Sequence, residues 1–230
     1  MSKLITAADE VAAVFLTVMV LAFGAPRVLT AAEPPRISKD GLELKSQTRD
    51  QLIYLRPGAR FSQYDRIALA ACYVEFSKSW LRDYNSSTSW THRISEGDLE
   101  RAKQELVAQF RSIFTEELTR GGYAVADSAG PDVLLVRPAL INVQMNAPDL
   151  MDAGRSLTIA QSAGAMTLYL ELWDSAHGEI LARVIDARSD QHDIPRPMSS
   201  VDNRAAADRV LRSWADEFVR KLDLARRHLG

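Results

Sequence analysis

Cysteine is almost missing from this chain: Cys72 is the only one in 230 residues. An intramolecular disulfide is therefore excluded, and a thiolate metal site would need His or carboxylate help from elsewhere. Cys72 sits in an apolar run, where a buried thiol is the expected state. Excess charge is missing too. Lys and Arg total 28 against 30 Asp and Glu, a formal charge of −2, which removes the electrostatic case for a nucleic-acid partner or for recruitment to an anionic membrane. Serine-nucleophile elbows, phosphate-cradling glycine loops and His-Glu zinc helices are also lacking. No catalytic residue can be named on that basis, and no cofactor is expected. What remains is a chain with 47% hydrophobic residues, enough to build a core without covalent staples.

The one long apolar run, VAAVFLTVMVLAFGA at 11–25, has the length of a signal-peptide core and falls short of the roughly 20 residues that span a bilayer. The small residues Thr30 and Ala32 fit a signal-peptidase site, and Glu33-Pro34-Pro35 suits an exposed mature start. Asp9 and Glu10 sit where positive charge is usual. Residues 1–32 are therefore read as a signal segment, with an uncleaved anchor as the alternative; membrane contact is expected through this segment alone.

Residues 33–50 form a polar lead, and 51–230 read as a single α+β domain. Short strands are expected at 51–55 and 123–125, a central strand over 66–76, and a strand over 133–143 that Pro138 assigns to an edge or a bulge. Ser95 with Asp98 forms a capping box that opens a helix ending at Gly121-Gly122. Leu99, Ala102, Leu106, Phe110, Ile113, Phe114 and Leu118 make its apolar stripe. A second helix after Asp202 or Asn203 carries Leu211, Trp214, Phe218 and Leu222. Between them, Met166, Leu168, Leu170 and Leu172 alternate with Thr167, Tyr169, Glu171 and Trp173, a strand with one buried face. A five-residue turn over 174–178 would set Leu172 against Ile180, Leu170 against Ala182, and Tyr169 against Arg183 in a cation–π pair. The expected fold is one mixed, mostly antiparallel sheet with two main helices packed on it.

Two irregular connections stand out by length, 77–94 and 146–163. The first carries Trp80, Tyr84 and Trp90; the second carries Asp149 and Arg155. These residues are candidates for one binding surface, because aromatics supply contact area and Arg a bidentate donor. The bland alternative is that they fold back on the core. Asp190, His192 and Asp193 are metal-ligand types close in sequence, but their spacing is no recognised metal motif, and they read as a polar loop past a strand end.

Several ungapped stretches resemble one bacterial family. They are GLEL at 41–44, YLRPGARFSQYDRIAL at 54–69, GPDVLLVRPALINVQMNAPD at 130–149 and AGRSLTIAQSAGAMTLYLELWDSAHGEILARVIDAR at 153–188. The family is domain-of-unknown-function family 3313, secreted proteins and lipoproteins of the cell envelope. The resemblance spans roughly 41–223 and implies export and a single domain, with no activity to carry over. Members often bear a lipidated cysteine just after the signal; here none precedes Cys72, which argues for a periplasmic or envelope-associated protein without a lipid anchor. The function expected is a non-catalytic binding or assembly module that engages another envelope protein or a cell-wall component. The alternatives are a metal-assisted hydrolase using 190–193 and a structural subunit of an envelope complex, with a homo-oligomer among the possible assemblies.

Overall fold

A computed structural model describes residues 33–90, 93–145, 158–198 and 200–228, and at 158–163, 190–198, 200–203 and 228 it describes the backbone alone. The signal-segment reading of 1–32 lies outside these residues. The strands are β1 (Glu43–Gln47), β2 (Gln51–Leu55), β3 (Arg66–Leu69), β4 (Tyr73–Phe76), β5 (Ala124–Val125), β6 (Val133–Met145), β7 (Thr158–Asp174) and β8 (Glu179–Met198). The helices are α1 (Lys78–Ser87), α2 (Glu96–Arg120) and α3 (Ser200–His228).

The strands form one sheet in the order β1-β2-β8-β7-β6-β3-β5, with β4 also paired to β6. Pairing is antiparallel from β1 through β2, β8 and β7 to β6, and parallel where β3 and β4 meet β6 and where β5 meets β3. This is the mixed, mostly antiparallel α+β sheet that the alternation called for. Its polar lead also contributes, since β1 falls within it.

α2 begins where its cap requires. Ser95 Oγ accepts from the Asp98 amide at 3.1 Å, and Asp98 Oδ2 accepts from the Ser95 amide at 2.9 Å. Leu106, Phe110, Ile113, Phe114 and Leu118 are buried on its stripe, and Leu211, Trp214, Phe218 and Leu222 of α3 meet them over Val136, Leu140, Leu168 and Leu170 of the sheet. The two helices close on each other at Gly121, where an added Cβ would lie 2.5 Å from Val219 Cγ1. Glu116 bonds Arg120 on its own helix at 2.8 Å and Arg212 of α3 at 3.0 Å, so this i,i+4 pair also bridges the helices.

Four expectations need correction. The segment 77–94 is not irregular throughout, because α1 fills 78–87: Ser77 Oγ accepts from the Trp80 amide at 3.3 Å and caps the helix, and Asn85 holds Ile94 by its amide at 2.8 Å and its carbonyl at 3.1 Å. Trp80 and Tyr84, four residues apart, were the helical signal. The strand over 66–76 divides at Ala70-Ala71-Cys72, β3 pairing with 133–136 and β4 with 139–143 of β6. That gap explains Pro138, which stands in a central strand and not at an edge. Val136, two residues earlier, accepts from the Ala70 amide at 2.9 Å, so the Pro138 nitrogen faces the same side, where the neighbouring strand is interrupted.

The β7–β8 turn is one residue tighter than expected, because Asp174 pairs with Glu179. A bulge beside Leu181 then restores the alternation, giving Leu172 opposite Ala182 and Leu170 opposite Val184. From Ala182 onward the pairing slides by two residues, which leaves those side chains on their expected faces, whereas Ile180 joins Trp173 on the opposite face and Leu181 enters the core, the reverse of the expectation. Lastly, strand β7 starts at Thr158 and β8 runs to Met198, so the end of the connection 146–163 and the whole segment 190–193 are strand and not loop.

Candidate functional site

The alternation that sends Leu168, Leu170 and Leu172 to the helices sends Thr167, Tyr169, Glu171 and Trp173 to the opposite face. There the register builds a row across four strands: Tyr54 on β2 opposes Arg183 on β8, Arg183 opposes Glu171 on β7, and Glu171 opposes Arg137 on β6. Glu171 is the hub. Its Oε1 accepts from Arg183 Nη2 at 2.8 Å, Arg183 Nε at 3.1 Å and the Tyr169 hydroxyl at 3.1 Å, while its Oε2 accepts from Trp173 Nε1 at 3.1 Å.

Each arginine also covers an aromatic ring: Arg183 lies 5.5 Å from the Tyr169 centroid and Arg137 lies 5.0 Å from that of Trp173. The expected Tyr169–Arg183 contact therefore exists, made diagonally because the strands slid by two. Asp40 adds a second carboxylate to Arg183 at 2.5 Å. Burial pulls the Arg183 guanidinium down, yet the Glu171 and Asp40 bonds outweigh it and hold it above its ordinary value. Burial raises the Tyr169 phenol, with the Glu171 charge beside it. Trp173 packs on a small cluster of Leu42, Tyr54 and Ile180.

Among the described residues, all three helices lie on the other face, since α2 and α3 supply the large core cluster and Trp80 of α1 packs against it. Leu135, Arg137, Ile141, Thr167, Tyr169, Trp173 and Ile185 remain half-buried on the uncovered face. The row was missed in the sequence because its members come from four strands. The alternation at 166–173 was the signal for one of them, Glu171.

The sequence candidates separate. Trp80 stacks on Phe76 at 5.8 Å, stands 6.0 Å from Tyr84 and packs against the core, which is the bland reading of this residue. Trp90 is 80% exposed. Asp149 and Arg155 lie outside the described residues. Asp190, His192 and Asp193 fall within β8, where only the backbone is described. There two residues of β7, from Ala160 to Ser162, span five of β8, from Arg196 to Gln191, a bulge containing Pro195. Among the described residues no group of three or more His, Cys, Asp or Glu could hold a metal ion.

Two other polar clusters serve the scaffold. Buried Asp186 accepts from Gln51 at 2.6 Å and from Arg188 at 2.9 Å. Arg188 also bonds Glu217 and Ser213 and covers the Trp214 ring, which ties β8 to α3. Asp174 collects the amides of Ala176 and His177 at 2.9 Å each and the Tyr64 hydroxyl at 2.9 Å, closing the β7–β8 turn. Burial and this bond push Tyr64 up to about 12. A cavity of about 80 Å³ lies at the far end of the sheet, lined by Phe76, Ile94, Leu106, Val143, Met166 and Val210 among others.

Residues 36–218 match the family model described as "Protein of unknown function (DUF3313)". No curated protein matches the chain. Among solved structures, a PelC dodecamer from Paraburkholderia phytofirmans is 12% identical, covering 75% of this chain and 96% of its own, at a TM-score of 0.38. A minor lipoprotein from Acinetobacter baumannii is 11% identical, covering 71% and 95% respectively, at 0.34. Likenesses this distant carry no argument about activity or assembly.

Proposed function

The chain belongs to the DUF3313 family, and from that premise we propose that it is a non-catalytic binding or assembly module of the bacterial cell envelope. Its contact surface is the uncovered face of the sheet, and its partner is another envelope protein or a cell-wall component. The observation that carries this reading is the row Arg183–Glu171–Arg137 with Tyr169 and Trp173, set out half-buried on a face without helices and closed at one end by buried Tyr54. Tyr, Trp and Arg are the residues that supply most of the energy at protein interfaces. Here Arg183, Tyr169 and Trp173 are held in place by bonds to one carboxylate and Arg137 covers the Trp173 ring, so little side-chain entropy remains to be lost on binding. The same bonds speak against acid–base chemistry at Glu171, whose oxygens are already committed to four donor contacts.

The test is recovery of a partner from envelope extracts. Arg137→Glu should abolish co-purification while leaving the circular dichroism spectrum intact, and Arg111→Glu, an equal charge reversal on an exposed position of α2, should not. Recovery unchanged by Arg137→Glu would remove the reading. A second contact point is favoured by Trp90 alone, because 80% of it is exposed beside the junction of α1 and α2.

A further inference from the structure

Strands β7 and β8 outrun the rest of the sheet. β6 accompanies β7 no further than Gly164, opposite Met145, and β2 accompanies β8 no further than Asp186, opposite Gln51. Beyond these points Thr158 pairs with Met198, Ile159 with Pro197 and Ala160 with Arg196. Among the described residues, 158–163 and 191–198 thus form a two-stranded ribbon with no strand on either outer edge. A two-stranded ribbon is marginal in water by itself, and its outward N–H and C=O groups are a template for another strand.

The two edges differ in chemistry. The β8 side reads QHDIPRPM over 191–198; its charges, two prolines and bulge are the devices that block strand addition. The β7 side reads TIAQSA over 158–163, with no charge and no proline. Directly opposed residues in an antiparallel ladder alternate between bonded and non-bonded pairs. Pro197 has no N–H to give, so its pair with Ile159 belongs to the non-bonded class. That assigns the N–H and C=O of Ile159, and two residues on those of Gln161, to the open edge.

We propose that this β7 edge pairs antiparallel with the same edge of a second copy, so that one sheet runs through a two-fold dimer. A patch that pairs with itself gives a closed, isologous contact. A neutral strand paired with itself sets no like charges opposite one another, and the guarded β8 edges stop growth at two copies. Six residues amount to about 20 Å of strand, an ordinary length for a stable pairing. This interface is separate from the uncovered sheet face, so either can fail without the other.

The test is the molar mass of the purified full chain by light scattering after gel filtration. Wild type should have twice the mass of one chain. Gln161→Lys, which sets two like charges across the axis, and Ile159→Pro, which deletes an outward N–H without taking one from β8, should each shift it to the mass of one chain, with unchanged circular dichroism. Gln161→Cys should give a dimer under oxidant that reductant dissolves, since Cys72 is buried. Should Ile159→Pro disturb the ribbon, Gln161→Lys decides alone. Wild type at the mass of one chain, or a dimer untouched by Gln161→Lys, would overturn the proposal.

Discussion

Glu171 and Arg183 stand directly opposite one another on β7 and β8, and their side chains meet at 2.8 Å. Both are only about one-seventh exposed, at 14% and 15% of their side-chain surface, so the pair is far enough from solvent for its hydrogen bonds to matter. Around it, two aromatic rings and a second arginine take fixed positions on a face the helices leave uncovered.

Removing that carboxylate should be felt as stability. Glu171→Ala takes away the carboxylate that the Tyr169 hydroxyl and Trp173 Nε1 share and leaves Arg183 with the Asp40 carboxylate alone; losing such bonds to a charged group costs about 1–3 kcal/mol. For a domain of this size a loss of about 2 kcal/mol lowers the melting temperature by roughly 4–8 °C. Glu171→Gln, which keeps an acceptor, should fall between. Thermal unfolding followed by circular dichroism reads both, and a Glu171→Ala melt equal to wild type would mean that the row is not stabilising.

Acid should loosen α3. Burial raises the Glu217 carboxyl, but Lys221, Gln51 and Arg188 outweigh it and hold the group at about 2 against an ordinary 4.5. A folded value below the unfolded one stabilises the fold above about 4.5, and that contribution fades as pH falls from there toward 2. Asp98, lowered by its bonds to Ser95, acts in the same direction. Urea unfolding at pH 7 and pH 3 should show the loss, and Glu217→Gln should show a smaller difference between the two. An equal pH dependence in the variant would contradict the assignment.

Burial pushes the Cys72 thiol up to about 12, and the side chain is enclosed. An aromatic disulfide reagent should therefore find no thiol in the native protein and one in denaturant. Rapid native labelling would show that the break between β3 and β4 opens.

The metal question turns on Asp190, His192 and Asp193. Elemental analysis of the purified protein should find no stoichiometric zinc, manganese or iron. One equivalent that His192→Ala removes would reinstate the hydrolase reading.

Much of the fold was legible where one strong local pattern decides an element. Ser95 and Asp98 fixed the start of α2, Gly121-Gly122 its end, and the alternation from Met166 to Trp173 fixed which face of β7 is buried. Elsewhere two local signals conflict. α1 was hidden because its serines and aspartate read as loop while Trp80 and Tyr84, at helical spacing, carried the only contrary hint. Pro138 pointed to an edge because a proline in a central strand is tolerated only beside a gap, and the gap at Ala70-Ala71-Cys72 is a property of another strand. The site was the least legible part. Tyr54, Arg137, Glu171 and Arg183 come together only through the order of β2, β8, β7 and β6, which no local pattern encodes.

The uncovered face is proposed as the surface that meets a partner. Site-specific photo-crosslinking in cells tests it most directly, with the probe placed in turn at Thr167 on that face, at Trp90, and at Arg111 on α2. A crosslinked envelope partner is expected from Thr167 and none from Arg111, with Trp90 reporting whether the contact extends to α1. Crosslinks from Arg111, with none from Thr167, would contradict it.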